Sequence, residues 1–249
     1  MSQITSTNNP HLKALRRLHT KRERARSGAF LAEGEDLIAT AQQAGRPPLE
    51  GFRLAGSGLG DDDFYDVERS ALGSVSALGS GSRVVAVYEQ RWGPAAGPLC
   101  VYLHGVGDPG NVGAVLRSAH AFGASCVALG PGCADPHSPK AVRASMGAIF
   151  TVALARVSDV GELPAERVAL VPDAAPELQG PAQQPLTLLV GSERHGLPRE
   201  VVAACERSAR IAIASHSLNA AMAATVALYE MTRRPCGCAA RPNDTVPAS

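Results

Sequence analysis

The stretch Leu99-Cys-Val-Tyr-Leu103-His-Gly-Val-Gly-Asp108-Pro-Gly-Asn111-Val-Gly-Ala-Val-Leu-Arg117 decides how the rest of the chain is read. Leu99–Leu103 is an apolar run of strand length, and a turn containing Gly and Pro follows it. Val112, Val115, Leu116, Ala119 and Phe122 then recur at helical spacing. The same order repeats downstream. Cys126–Leu129, Val168–Val171, Leu186–Val190 and Ala209–Ile213 are further short apolar runs, and helical stretches are expected at about 111–122, 138–147, 198–206 and 217–233. Continuous apolar strands separated by helices predict an α/β fold with a mostly parallel sheet covered on both faces. Ligands bind such sheets at the carboxyl ends of the strands, so the loops after Leu103, Val190 and Ile213 are the places to look for a site.

Upstream of this region the pattern differs. Residues 1 to about 55 read as helix, loop, helix and strand, with Glu33–Ala44 as the second helix and Gly51–Ala55 as the strand. Residues 56–82 are rich in Gly, Ser and Asp, with Asp61-Asp-Asp63 as a possible helix start, and Val84–Tyr88 is a further strand. Arg91-Trp-Gly-Pro-Ala-Ala-Gly-Pro98 reads as a linker, because its Pro and Gly residues oppose both helix and sheet. The expected division is a small α+β domain over residues 1–92, a larger α/β domain over 97–235 and a flexible tail over 236–249.

The chain has 249 residues, 45% of them apolar and 19% charged, which indicates a globular protein with material for a buried core. No run approaches the length of a membrane-spanning helix, and residues 1–24 lack the apolar core of a secretion signal, so a cytoplasmic protein is expected. The six cysteines form no paired framework. Cys236 and Cys238 make a lone C-x-C without a second pair, and no metal site is expected. The net charge of +1 does not point to nucleic acid, but its distribution does. Lys13, Arg16, Arg17, Lys21, Arg22, Arg24 and Arg26 face a single acid, Glu23, in the same stretch, and Leu12, Leu15 and Leu18 form a narrow apolar stripe. A helix docked by those leucines would offer its cations to phosphates, although a solvated surface helix would look the same.

The turn after Leu103 contains Gly105-Val-Gly107-Asp-Pro-Gly110, which satisfies the dinucleotide-binding pattern G-x-G-x-x-G. Pro109 removes an amide that a phosphate cradle would use, and no acid closes the following strand at Leu129-Gly130, so a nicotinamide enzyme is disfavoured. Read onward, the turn brings in Asn111 and Arg117, which are too far round a helix to share one face. An arginine within an otherwise apolar helix calls for an anionic partner, either a ligand or a nearby carboxylate. A second turn, Val190-Gly191-Ser-Glu193-Arg-His-Gly196-Leu-Pro198, leaves a buried strand with glycines that permit close backbone approach. The third is Ile211-Ala-Ile213-Ala-Ser-His-Ser217-Leu218-Asn219, leading into a long helix that Ser217 is placed to cap.

These three turns, in this order, resemble the motifs of the SpoU (TrmH-type) family within the SPOUT class of RNA methyltransferases. That family shows Asn-x-Gly with a downstream Arg, then Gly-[Asn/Ser]-Glu-x-x-Gly, then a strand leading to Ser-Leu-Asn. Asp135–Phe150 resembles a further family segment, and Asn9-Pro through Glu33-Gly34 resembles the family's ribosomal-protein-like substrate-binding domain. The loop before Ser-Leu-Asn is shorter here than is usual in the family, and Ala212 stands where proline is common. The resemblance implies a sheet whose C-terminal part is tied in a trefoil knot, S-adenosylmethionine as cofactor, a homodimer that completes the site, and methylation of an RNA ribose 2′-hydroxyl. By position it implies cofactor contacts from Gly191, Ile211, Ile213 and Leu218, and a catalytic constellation of Asn111, Arg117, Glu193, Ser217 and Asn219. His104, His195 and His216 flank the turns and are candidate bases, beside the plainer reading as surface histidines. Ribosomal RNA, 23S in particular, is favoured as substrate over transfer RNA. A catalytically silent RNA-binding protein of the same fold is the rival from another class.

Overall fold

The computed structural model describes residues 3–76, 81–214 and 218–233. The N-terminal part contains helices α1 (Pro10–Arg17), α2 (Lys21–Ser27), α3 (Glu35–Gln43) and α4 (Arg69–Gly73). Its strands are β1 (Ala29–Glu33), β2 (Glu50–Leu54), β3 (Tyr65–Val67) and β4 (Val84–Glu89), paired in the order β1-β4-β2-β3. The expected single cationic helix is in fact two, broken after Leu18, with Thr20 capping α2 by accepting from the Glu23 amide. Leu12, Leu15 and Leu18 are buried as the stripe predicts. The run Asp61-Asp-Asp63 starts no helix; it turns the chain into β3.

The larger part is built from β5 (Leu99–Leu103), β6 (Cys126–Leu129), β7 (Ala153–Arg156), β8 (Glu166–Leu170), β9 (Leu186–Val190) and β10 (Arg207–Ala209). Their order is β10-β8-β9-β5-β6-β7, and every pairing is parallel. Four helices accompany them: α5 (Pro109–Ala121), α6 (Pro139–Ala144), α7 (Arg199–Ala203) and α8 (Ala220–Thr232). The central strands β5 and β9 are apolar on both faces because both faces are covered. Val101 and Leu103 enter the core shared with α5 and α8, whereas Cys100 and Tyr102 point the other way, onto Val160, Leu163 and Val201. The edge strand β7 is absent from the expected set because it has only two buried residues, Leu154 and Ala155, between exposed ends. The last expected strand, Ala209–Ile213, is shorter and earlier, so Ile211 and Ile213 lie in the loop beyond the carboxyl end of β10. The expected knot depends on the path from β10 to α8, which includes residues 215–217, outside the described residues.

The expected linker is not a free tether. The Gly93 amide donates to the Leu154 carbonyl at 2.9 Å, extending the sheet edge beside β7. Trp92 packs against the core, with the Arg156 guanidinium 4.0 Å from its ring centroid. Phe30 and Tyr88 from the first sheet pack on Phe150 of the second part, at centroid distances of 5.9 and 4.7 Å. One continuous apolar core therefore crosses the boundary near residue 92.

The same boundary contains the main departure from the expected RNA-facing cations. Arg24 is 3% exposed: its guanidinium pairs with Asp135 at 2.8 Å and donates to the carbonyls of Leu18 and His19. It points inward because α2 presents that face to the 130–137 loop, so it is committed to joining the two parts. Next to it His137 is buried, 3.7 Å from Asp135, and burial pushes its pKa down to about 4 despite that carboxylate. The imidazole is thus neutral at pH 7, and the contact is not an ion pair.

Two outcomes follow for stability. Arg24→Ala leaves Asp135 without its partner at a nearly closed boundary and is expected to lower unfolding free energy by about 3 kcal/mol in urea titrations. His137 in the folded chain refuses a proton that the unfolded chain accepts, so its contribution is complete above pH 6.5 and is lost as pH falls towards 4. Stability of the wild type should fall more steeply across that window than that of His137→Gln; equal slopes would show that protonation there carries no penalty.

Candidate active site

All six strands of the second sheet run parallel, so their carboxyl ends open on one side. Leu103 and Val190 are register partners, which sets the turns after β5 and β9 side by side. The His104 amide donates to the Val190 carbonyl at 2.9 Å and continues the ladder one step into the turn. Glycine is required at two positions here. Gly105 has φ +68°, and a Cβ on Gly191 would collide with the backbone of Gly196 and Leu197. The second turn closes on itself through reciprocal hydrogen bonds between Ser192 and Gly196, of 3.2 and 2.9 Å, with the His195 amide donating to Ser192 Oγ.

Within this frame Asn111 stands in the first turn of α5, where Asp108 caps the helix by accepting from the Asn111 amide at 3.1 Å. Lys140 lies 2.7 Å from the other Asp108 oxygen and, with these amides, holds that carboxyl below its ordinary range. The Asn111 side chain donates through Nδ2 to Glu193 Oε1 and accepts at Oδ1 from Asn219 Nδ2 at 3.1 Å. Asn219 in turn caps α8, its Oδ1 accepting from the amides of Ala221 and Met222 at 2.9 and 3.4 Å. Ser217 was the expected cap; it lies outside the described residues, and Asn219 performs that role. Asn111, Glu193 and Asn219 are therefore brought together, half-buried or exposed, at the mouth of the sheet.

Arg117 is not part of this cluster. It is exposed on α5 and makes no hydrogen bond or ion pair among the described residues, so of the two anionic partners considered, a nearby carboxylate is not found among them. Leu218 adjoins Asn219 and is half-buried; Ile211 packs against the core, while Ile213 is 39% exposed. These three and Gly191 lie in the turns that follow the carboxyl ends of β9 and β10 and offer apolar side chains and turn backbone there. That chemistry suits an adenosine moiety, which needs apolar contact and a few amide and carbonyl partners. Of the histidines, His104 is half-buried with Nδ1 3.0 Å from Tyr102 Oη, His195 is exposed, and His216 lies outside the described residues.

The cationic face is smaller than expected. Lys13, Arg17, Lys21 and Arg22 are exposed and make no ion pair among the described residues, whereas Arg16 donates to Ser74 Oγ and the Thr7 carbonyl. Arg26 pairs with Glu23 at 2.5 Å, and Arg24 is buried as described above. A side chain three residues on along a helix, such as Glu23 before Arg26, was the available sign that one cation was already matched.

Residues 98–229 match the SpoU rRNA Methylase family, and residues 9–56 match an MRM3-like substrate binding domain. The chain belongs to the SpoU rRNA methylase family. It is 29% identical over 248 residues to the 23S rRNA (guanosine(2553)-2′-O)-methyltransferase RlmP of Bacillus subtilis, covering 93% of this chain and 99% of that one. It is 30% identical to an uncharacterized tRNA/rRNA methyltransferase of Synechocystis, covering 94% of each chain. The fold superposes on an AdoMet-bound rRNA methyltransferase from Sinorhizobium meliloti with a TM-score of 0.82 at 29% identity, covering 92% of this chain and 97% of that one.

Asn219 has two separable duties in this site. Asn219→Ser keeps a side-chain oxygen for capping α8 but removes the Nδ2 donor to Asn111. The expected result is a melting temperature close to wild type with methyl transfer reduced at least tenfold. Asn219→Ala should additionally lose about 1 kcal/mol of stability through the missing cap.

Proposed function

We propose that the protein transfers the methyl group of S-adenosylmethionine to a ribose 2′-hydroxyl of ribosomal RNA, 23S rRNA being the favoured substrate. The observation that carries this reading is the convergence of Asn111, Glu193 and Asn219, one from each of three turns, around a single carboxamide. Membership of the family and the substrates named for its relatives support the choice of RNA. When bound, the cofactor supplies an electrophilic sulfonium methyl group.

The remaining work falls to the chain. A ribose hydroxyl is a weak nucleophile at neutral pH, so the protein must orient it, exclude misalignment and stabilise the charge that develops on oxygen. Asn111 is locked in one amide orientation, since its nitrogen faces a carboxylate and its oxygen faces the Asn219 amide. Glu193 and Asn219 are thus positioning residues for Asn111, and Asn111 presents a fixed dipole at the mouth of the site. A guanidinium with pKa above about 12 stays charged and takes no proton, so Arg117 acts by orienting the hydroxyl and its neighbouring phosphate and by stabilising negative charge on the oxygen as its proton passes to water.

In this reading the active unit is a homodimer in the cytoplasm, where rRNA is found. Arg117 is exposed and without an ion pair among the described residues, which suits a side chain that serves the opening of a partner. Met222, Val226 and Tyr229 lie along one side of α8, all exposed, and Tyr229 meets Phe122 of α5 edge-on at 6.2 Å. An apolar stripe on the helix that packs beside α5 favours a twofold contact there. No helix among the described residues is long and apolar enough to cross a membrane.

Labelled-methyl transfer to rRNA, followed by nucleoside analysis, tests the reading directly. Arg117→Ala should lower transfer at least a hundredfold while leaving cofactor affinity, measured by calorimetry, within about twofold of wild type. Near-normal turnover would end the proposed role of Arg117. Light scattering should give twice the chain mass for the wild type and a monomer for Tyr229→Asp. A 2′-O-methyl product found in transfer RNA alone would overturn the choice of substrate.

A further inference from the structure

A second opening lies at the carboxyl ends of the same sheet and shares none of the residues of the Asn111 cluster. It is a cleft of about 420 Å3 where α2 faces the carboxyl ends of β6 and β7, a size suited to a small-molecule group. Leu129, Cys133 and Val157 form an apolar floor. Lys21 stands on one wall and Arg156 on the other, both exposed and neither with an acidic partner among the described residues. The one acid in the lining, Asp135, is already neutralised by Arg24 at 2.8 Å. The cleft therefore carries positive charge over an apolar base.

The Arg156 guanidinium is stacked on the indole of Trp92, which also lines the cleft. A planar cation on an aromatic ring is a platform for nucleobases and a bidentate donor to phosphate. The loop between Leu129 and His137 joins the cleft to the catalytic opening. The Gly105 amide donates to the Pro131 carbonyl and the Ala134 amide to the Val106 carbonyl, each at 2.9 Å. A strand of RNA crossing the Asn111 turn would reach this loop next. Arg22, next to Lys21 on α2, and Arg17 at the end of α1 are also exposed and make no ion pair among the described residues.

We propose that this cleft binds one unpaired nucleotide of the RNA substrate near the methylated one, its base on the Arg156–Trp92 stack and its phosphate on Lys21. The proposal rests on the RNA-methyltransferase reading above and adds a recognition subsite to it. The apolar floor and the stack favour a nucleotide over a bare anion, which would need neither.

Trp92 is the single tryptophan of the chain, so its emission reports on this cleft alone. The full-length protein is titrated with a short single-stranded RNA of mixed sequence, and binding of the same RNA is followed in parallel by anisotropy. The expected result is quenching of Trp92 that tracks binding, with heparin, a polyanion without bases, giving no comparable quench. Arg156→Lys keeps the charge but loses the plane, and should weaken RNA binding about tenfold with cofactor affinity unchanged. Lys21→Glu, at an exposed site that threatens no packing, should weaken it similarly and reduce its salt dependence. RNA binding without a change in Trp92 emission, or wild-type affinity in both variants, would overturn the proposal. The titration needs no turnover, so a failure of methyl transfer would count against the parent reading and would be seen separately.

Discussion

The carboxamide of Asn111 is the point on which the site depends. Its nitrogen and oxygen hold residues 82 and 108 positions away in sequence, and each of those partners belongs to a different turn. An amide can serve both because it is donor at one end and acceptor at the other. Aspartate at the same position would place a second carboxylate against Glu193, and leucine would leave a carboxylate and an amide without partners. The cluster exists only because parallel pairing of β5 with β9 sets two turns side by side and α8 returns across them.

Most of this architecture was legible from hydrophobic pattern. The runs at Leu99–Leu103, Cys126–Leu129 and Leu186–Val190 match their strands because central strands covered on both faces must be apolar throughout. The edges were harder. Residues Ala153–Arg156 bury only two side chains, and Arg207–Ala209 pairs on one side only, so neither has the composition of a central strand. Gly93 and its neighbours looked like a tether because Pro and Gly oppose regular structure, yet the Gly93 amide bonds to Leu154 and the half-buried Trp92 and Ala95 pack on the core, which docks the segment. Such contacts come from distant residues, and no local pattern encodes them.

The candidate site came from the resemblance of three turns to family motifs, and the fold brings Asn111, Glu193 and Asn219 of that set into contact. Asn111, Glu193 and Asn219 stand out because each is a polar residue beside a buried strand or helix, next to glycines or caps that fix the backbone. In the cationic stretch from Lys13 to Arg26, composition overstates the charge left unmatched in the folded chain. Composition counts charges but does not show which way they face, and Arg16, Arg24 and Arg26 are occupied by Ser74, Asp135 and Glu23. Asp135 is 111 residues from Arg24, so only the folded chain shows that this arginine belongs to the boundary.

That boundary has a consequence for how the two lobes are set. With Phe30, Tyr88 and Phe150 in one core and Arg24 bonded across it, the small lobe is packed against the larger one rather than tethered to it. Contacts of that kind set the span between the two lobes as on a pair of fixed calipers.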